Sequence, residues 1–134
     1  MKEFAHKSLE ITDDKPLVYT AMSKHYFYFR MHISKFVIEK GGVPLNPFMI
    51  TEYFLIDTVD RNDVRSVNNN LVRKSEEIWV FGPVSDGVLA EVKIAKEMGK
   101  LVKYFKIVKS KEIVPIPKDE VEMEDDVKEF RNEL

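Results

Sequence analysis

The clearest alternation of apolar and polar residues lies in residues 77–102. Residues 78–81, Ile-Trp-Val-Phe, form a continuous apolar run that stops at a Gly-Pro pair. Apolar residues then recur at helical spacing at Val88, Val92, Ala95 and Gly99, and a second apolar segment begins at Leu101. A short continuous run is typical of a buried strand, and a spacing of three to four residues is typical of an amphipathic helix. The pattern therefore predicts a strand, a glycine-containing turn, a helix and a second, parallel strand, which together make a βαβ unit.

A similar unit precedes this one. Residues 16–21, Pro-Leu-Val-Tyr-Thr-Ala, have the composition of a strand, and Ser23 is placed to cap a following helix. Apolar steps of three and four residues predict one long helix that ends at the glycine pair 41–42, and residues 43–48 predict a short second strand. The repeated strand–helix–strand order predicts an α/β, flavodoxin-like open parallel sheet of four to five strands with helices on both faces.

The region between the two units predicts two more helices. Residues 49–58 are apolar and aromatic, and we expect a short helix there that lies over the strand ends. Asp60 or Asn62 can cap the next helix, which we expect to end near residues 75–76. Residues 68–70 within that helix are asparagines, which are poor helix formers. Because local stability does not explain them, we expect one of the three to face the ligand-binding edge of the sheet.

The two ends of the chain have weaker patterns. Residues 1–15 predict either a short helix or an added edge strand. Residues 103–108 continue the last central strand, and prolines hold residues 113–117 extended. Residues 118–134 contain eight acidic and three basic residues, so that their net charge is −5 and that of residues 1–117 is +3. We expect one domain over residues 1–117 and an acidic tail or helix over residues 118–134.

Composition excludes several classes of site. The 134 residues include no cysteine, which excludes disulfides, thiolate metal sites and cysteine nucleophiles. Three irregularly spaced histidines form no zinc motif, and we predict neither a metal nor a cofactor. No apolar run approaches the roughly 20 residues of a membrane helix, and residues 1–15 lack the apolar core of a signal peptide. We expect a cytoplasmic protein with no membrane partner. The weak positive charge of residues 1–117 favours an anionic small molecule over nucleic acid.

Glu91 is the residue that departs from the helical pattern. It follows the glycine-containing turn by about one helical turn, beside Val88 and Val92. A carboxylate at that place is expected near the carboxyl ends of the strands, where open parallel sheets bind ligands, and the helix N-terminus is expected to keep it ionised. Such a carboxylate can act as a nucleophile or stabilise a sugar cation. The simpler interpretation is a surface glutamate whose stem packs on the sheet.

Further candidates surround Glu91. The turn before the helix contributes Gly82, Ser85, Asp86 and Gly87. Backbone N–H groups and a hydroxyl at a helix start can hold a phosphate or a sugar hydroxyl, although the same residues also make an ordinary capped turn. Tyr19 ends the first strand and can orient the carboxylate, and Asn46 follows the second strand and can bind a ligand. Their simpler roles are a half-buried strand tyrosine and an asparagine that closes a turn.

Residues 76–102, EEIWVFGPVSDGVLAEVKIAKEMGKLV, resemble the signature segment of the nucleoside 2-deoxyribosyltransferase-like superfamily. The matching positions are Glu91, Ala95, Gly99 and Lys100. Residues 87–91, Gly-Val-Leu-Ala-Glu, are similar to the turn of small phage and bacterial members of the superfamily. Tyr19 after the first strand and Pro47 after the second strand also fit, so the resemblance covers residues 16–105.

The resemblance implies a nucleoside or nucleotide substrate and a site built between subunits. It implies that Glu91 attacks C1′ of the sugar and forms a covalent glycosyl-enzyme, and that Tyr19 orients Glu91. Ser85 and Asp86 would then hold the ribose or phosphate, and Asn69 would contact the base. Two positions depart from the family pattern: Ser85 stands where the family has an aspartate six residues before the glutamate, and residues 68–70 are asparagines where it has a second aspartate. Asparagine cannot protonate a leaving base.

Three functions remain open from the sequence. The first is an enzyme of N-glycosidic bonds, either a nucleoside or nucleotide deoxyribosyltransferase or a related hydrolase. The second is a non-catalytic nucleotide-binding module, which the missing aspartates favour. The third is a structural oligomerisation domain. We expect a homodimer or larger homo-oligomer, in which residues 49–58 cover the contact between subunits.

Overall fold

The computed structural model of the protein describes residues 2–109 and 112–134, apart from the side chain of Tyr53. One five-stranded sheet contains β1 (Leu17–Met22), β2 (Val43–Leu45), β3 (Glu77–Phe81), β4 (Leu101–Val108) and β5 (Glu112–Ile116). The strand order is β2-β1-β3-β4-β5, with β1 to β4 parallel and β5 antiparallel to β4. This order confirms the predicted flavodoxin-like fold. The strand β5 is antiparallel because the three residues between it and β4 are too few for a parallel crossover.

Five α-helices lie within the described residues: α1 (Arg30–Glu39), α2 (Pro47–Ile50), α3 (Tyr53–Thr58), α4 (Arg61–Lys74) and α5 (Asp86–Glu97). Short 3-10 segments lie at Lys7–Glu10, Lys24–Phe29, Lys118–Glu120 and Asp125–Glu133. Asp60 caps α4 by accepting the N–H of Asn62, and Ser85 caps α5 by accepting the N–H of Val88. No helix in the described part of the chain has both the length and the apolar character that a membrane span requires.

The predicted long first helix is divided into two segments. A 3-10 segment, Lys24–Phe29, precedes the α-helical part, and Ser23 caps the 3-10 segment by accepting the N–H of His25. Residues 26–29 are four successive aromatics, which are mediocre α-helix formers. Their rings also contact other elements: the ring of Phe27 packs edge-on against that of Phe48, with centroids 5.9 Å apart. Weak helix propensity and ring packing together account for the tighter winding.

Alternating side chains on the strands build two core layers, one on each face of the sheet. The layer under α1 contains Val18, Met22, Ile33, Val37, Trp79, Phe81 and Phe105. The opposite layer packs Tyr19, Ala21, Ile78 and Val80 against buried residues of α4 and α5. The C-terminal segment adds Val121, Met123, Val127 and Leu134 to this second layer. A β-bridge between Val84 and Met123 ties that segment to the turn after β3, and this brings it next to the start of α5.

Candidate functional site

A cavity of about 650 Å³ opens at the carboxyl ends of the parallel strands. Residues that directly follow β1, β2 and β3 line it, as Ser23, Pro47 and Ser85 show. The inner face of α4 and the first turns of α5 form its two long walls. The cavity therefore lies at the edge of the sheet where open parallel folds bind their ligands.

Glu91 lies in the second turn of α5, and it is part-buried in the cavity wall. Tyr19, which is fully buried in β1, donates a hydrogen bond from its hydroxyl to Glu91 Oε2. The fold brings the two together because β1 pairs with β3, with Tyr19 opposite Ile78, and α5 packs over both strands. Within the described residues, Glu91 Oε1 has no hydrogen-bond partner, and it is left for a ligand.

The surroundings change the acidity of both groups. Loss of hydration raises the pKa of Glu91 from 4.5 to about 7, against the weaker lowering effect of the hydrogen bond from Tyr19. Burial, and then the nearby charge of Glu91, raise the pKa of Tyr19 well above its ordinary value of 10.0, so the phenol stays a donor. Burial therefore acts against the fully ionised form that we expected for Glu91 from its place near the helix N-terminus. Near neutral pH the carboxyl group is divided between its protonated and ionised forms.

The asparagines of α4 form the opposite wall. Asn68 and Asn69 both line the cavity, whereas Asn70 is exposed and donates to the carbonyl oxygen of Ser66 at 2.8 Å. Asn68 Oδ1 is buried and has no hydrogen-bond partner among the described residues. A buried acceptor without a partner is costly and rare in native proteins. Asn69 therefore lines the cavity, and Asn68 beside it adds an unpaired buried oxygen to the same wall.

The turn before α5 contributes Ser85, Asp86 and Gly87 to the cavity. Ser85 Oγ accepts the N–H of Val88 at 3.3 Å, which leaves the hydroxyl hydrogen to donate to a ligand. The N–H of Gly87 donates to Asp86 Oδ1 at 2.7 Å, so this amide is already occupied. The predicted phosphate cradle of backbone N–H groups is thus reduced, and the side chains of Ser85 and Asp86 are the polar groups that the turn offers.

Two predicted ligand residues serve the fold in other places. Neither Gly82 nor Asn46 is among the described residues that line the cavity. Gly82 has a φ of +79°, its N–H donates to the carbonyl oxygen of Phe105, and an added Cβ would lie 3.1 Å from the ring of Tyr26. Asn46 is buried, caps α2 through the N–H of Phe48, and donates to the carbonyl oxygen of Arg30. The requirements of local packing account for both residues.

The cavity is also lined by residues that the sequence did not single out, which are the charged Lys24, Arg61, Arg65 and Glu124, and His25. The spacing of Arg61, Arg65 and Asn69 on α4, at four-residue steps, was the available signal, because such residues share one helix face. Glu124 had no local signal, since the Val84–Met123 bridge brings it to the cavity from the C-terminal segment.

A second cavity, a groove of about 690 Å³, lies on the α1 side of the sheet. Its charged groups have partners: Glu77 accepts the indole N–H of Trp79 at 3.0 Å and pairs with Lys103 at 3.4 Å. Lys103 also lies over the ring of Trp79, and Lys40 lies over the ring of Phe36. Within residues 2–109 and 112–134 no group of three or more histidines and acids is placed to hold a metal ion. The unpaired groups therefore mark the Glu91 cavity as the candidate site.

Comparison with known proteins places this geometry in context. The family model of a domain of unknown function (DUF7768) matches residues 19–105, a range that includes both Tyr19 and Glu91. No curated protein matches the sequence. Among solved structures, a 2-desoxiribosyltransferase from Leishmania mexicana has a similar fold, with a TM-score of 0.53 over 74% of this chain and 79% of that chain at 14% sequence identity. The likeness shows a shared fold, which agrees with the resemblance seen in the sequence.

Proposed function

The chain belongs to the family of the domain of unknown function DUF7768, and we propose that it cleaves the N-glycosidic bond of a nucleoside or nucleotide. The observation that carries the proposal is the Tyr19–Glu91 pair at the cavity, with a carboxyl group of raised pKa and one free oxygen. A carboxylate of this kind is the nucleophile that retaining glycosyl chemistry requires. The similar fold of the Leishmania mexicana 2-desoxiribosyltransferase supports it.

The proposed reaction has two displacements at C1′ of the sugar. Ionised Glu91 attacks C1′ through Oε1, the C1′–N bond breaks, and the base leaves with that electron pair and takes up a proton from water. Water or a second base then attacks C1′ and releases the carboxylate. The Tyr19 hydroxyl donates a hydrogen bond to Oε2 of Glu91, and this bond orients Oε1 for the attack. Ser85 and Asp86 bind the sugar, and Asn69 with its neighbour Asn68 contacts the base.

A second candidate is a module that binds a nucleotide without cleaving it. The observation that favours it is the asparagine wall, because a carboxamide donates and accepts hydrogen bonds but supplies no acidic proton to a leaving base. In this case Glu91 serves as an acceptor for sugar hydroxyl groups. Nucleotides would raise the melting temperature of the protein, and no free base would appear.

The experiment that tests the proposed reaction is base release from a panel of ribo- and deoxyribonucleosides and their monophosphates, followed by chromatography. Wild-type protein is expected to release base from at least one substrate class, and Glu91→Gln is expected to lose about 1,000-fold or more of that rate. Glu97→Gln, at the exposed end of the same helix, is the matched control and keeps the rate. Absence of release, or equal release by Glu91→Gln, refutes the enzyme proposal.

We also propose a homodimer or larger assembly that uses α2 and α3. Their exposed apolar side chains are Met49, Ile50, Phe54, Leu55 and Ile56. Phe54 is 73% exposed, and Ile56 also lines the cavity, so a second subunit placed there would adjoin the site. Exposed apolar patches of this kind are typical of protein interfaces. Sedimentation of wild type and Phe54→Asp tests it, with an assembly expected for the first and a monomer for the second; a monomeric wild type refutes it.

A further inference from the structure

The charged groups of the Glu91 cavity are divided between its walls. Cationic side chains come from the loop after β1 and from α4, as Lys24, Arg61 and Arg65. Carboxyl groups come from α5 and the C-terminal segment, as Asp86, Glu91 and Glu124. A ligand that fills the cavity therefore meets positive charge on one side and hydrogen-bond acceptors on the other.

The folded chain makes little use of the two arginines. Arg61 has no hydrogen bond or ion pair with any described residue, and Arg65 has one hydrogen bond, from Nη1 to Asn62 Oδ1 at 3.0 Å. Like charges four residues apart on a helix repel each other, so the pair costs stability. Both side chains line the cavity. Because both residues are exposed at the cavity, their guanidinium groups are free to pair with an anion from solution.

We infer that the substrate is a nucleoside monophosphate and that Arg61 and Arg65 bind its phosphate, an inference that rests on the proposed N-glycosidic function. Guanidinium groups bind phosphate through paired, charge-assisted hydrogen bonds. The carboxylates of Asp86 and Glu124 repel a phosphate and accept hydrogen bonds from sugar hydroxyl groups. The separation of cationic and carboxyl groups on opposite walls thus sets the orientation of the nucleotide in the cavity.

Helix α4 then contacts both ends of the nucleotide. Arg61 and Asn69 are eight residues apart, a rise of about 12 Å along the helix axis. That distance separates a phosphate at the first turns of α4 from a base at the asparagines. The sugar between them faces α5, where Glu91 offers its free oxygen to C1′. A nucleotide in this orientation therefore contacts the two arginines, the unpaired Asn68 Oδ1 and the Glu91 carboxylate at the same time.

The test is calorimetric binding to full-length protein in the Glu91→Gln background, which does not consume the ligand. The probes are the 2′-deoxynucleoside 5′-monophosphates of the four bases, the matching nucleosides, 2-deoxyribose 5-phosphate and inorganic phosphate. The monophosphate that binds most tightly is expected to exceed its nucleoside by about tenfold or more in affinity, and Arg61→Gln and Arg65→Gln are each expected to remove about tenfold. Arg73→Gln, in the last turn of α4, is the matched control and changes neither affinity.

Two further measurements distinguish loss of the phosphate contact from a general effect of the substitutions on folding. Arg61→Lys and Arg65→Lys keep the charge and are expected to restore part of the preference for monophosphate. In the Glu91→Gln parent with both arginines intact, added salt is expected to weaken monophosphate binding more than nucleoside binding, because the contact is charge-assisted. Equal affinity for nucleoside and monophosphate, or a preference that survives the double Arg→Gln variant, overturns the inference.

The outcomes separate this inference from the proposed reaction. Arginine-dependent monophosphate binding without base release keeps the phosphate site and removes the enzymatic activity. Base release from nucleosides, with rates that are unchanged by both arginine substitutions, keeps the activity and removes the phosphate site. Inorganic phosphate and 2-deoxyribose 5-phosphate that bind as tightly as the nucleotide indicate a sugar-phosphate ligand in place of a nucleotide, and they also overturn the inference.

Discussion

The molecule contains two cavities of nearly equal volume, about 650 Å³ around Glu91 and about 690 Å³ under α1. The groove under α1 is lined by Phe36, Trp79 and Phe105, and its Glu77 carboxylate has both an indole and an ammonium partner. In the other cavity Asn68 Oδ1 and Arg61 have no partner among the described residues. The two regions differ in how their polar groups are paired, and size does not distinguish them.

The difference shows what a candidate site is in physical terms. A charge that folding uses has its partner in the folded chain, as Glu77 has in Lys103. A group that takes part in binding or catalysis often has no partner in the folded chain or has a shifted pKa, and it lowers the stability of the fold. Glu91 has such a shifted pKa, because burial raises it to about 7. Substitutions of glutamates in the Glu91 cavity and in the groove under α1 should therefore change the free energy of unfolding in opposite directions.

After Glu91→Gln itself, Tyr19→Phe should lower the rate of base release the most. The hydroxyl of Tyr19 lowers the pKa of Glu91, so its removal raises that pKa further and leaves less carboxylate at pH 7. We expect a loss of about 10- to 100-fold in kcat/KM near pH 7, partly recovered at higher pH. The measurement is the pH profile of kcat/KM, whose lower midpoint should rise above about 7. Tyr104→Phe removes a hydroxyl from the same core layer but leaves the Tyr19–Glu91 hydrogen bond intact, so it is the control and should leave the midpoint in place; an unmoved midpoint in Tyr19→Phe contradicts the assigned role.

The next effect is a stability change of opposite sign at the two glutamates. The folded state holds the proton of Glu91 up to pH about 7, whereas the ordinary pKa is 4.5. This contribution to stability is complete below pH 4.5 and is lost as the pH rises to about 7. Glu91→Gln avoids the loss, and we expect it to exceed wild type in free energy of unfolding at pH 8 by about 2 to 3 kcal/mol, with no gain at pH 4.

Glu77→Gln is the counterpart in the groove. It removes the ion pair with Lys103 and is expected to lower the free energy of unfolding by about 0 to 1 kcal/mol. Urea unfolding at both pH values measures the two variants. A Glu91→Gln protein that is less stable than wild type at pH 8 would show that its carboxylate is a structural partner.

The smallest expected effect concerns the asparagine wall. Asn68→Leu removes the unpaired buried Oδ1 and fills the same space, and it should raise the free energy of unfolding by about 1 kcal/mol more than Asn70→Leu does. Both changes gain the same helix propensity, so the difference reports side-chain burial and hydrogen bonding at the two positions, including loss of the Asn70 bond to the Ser66 carbonyl oxygen. The same Asn68→Leu protein should bind nucleotides less tightly. Equal stability of the two variants would mean that Asn68 Oδ1 costs nothing in the free protein.

The sequence predicted those parts of the site that have a local pattern. The change from a continuous apolar run to helical spacing placed Glu91 at the start of a helix after β3, and the first strand placed Tyr19 beside it. Local patterns also placed Ser85 and Asn69 at the edge of the sheet where the cavity opens. Each of these predictions depends on one element and on the rule that parallel strands end together.

The remaining features depend on tertiary contacts that no local pattern encodes. The four-residue spacing of Arg61, Arg65 and Asn69 puts them on one helix face, but the direction of that face depends on how α4 packs. Glu124 reaches the cavity through the Val84–Met123 bridge, which joins segments far apart in the sequence. Gly82 was predicted for a ligand because glycine in such a turn is typical of binding loops, and close approach of the Tyr26 ring is the actual constraint. The acidity of Glu91 follows from burial depth, which spacing does not reveal.

The measurement that tests the central claim most directly is the titration of the Glu91 carboxyl carbon by NMR. Protein labelled with ¹³C at the glutamate side chains is titrated from pH 3 to pH 9, and the Glu91 signal is assigned by its absence in Glu91→Gln. The structure predicts a midpoint of about 7 for that one signal, and a higher midpoint in Tyr19→Phe. A midpoint near 4.5, the ordinary value, unchanged by Tyr19→Phe, would place Glu91 in water and contradict the account.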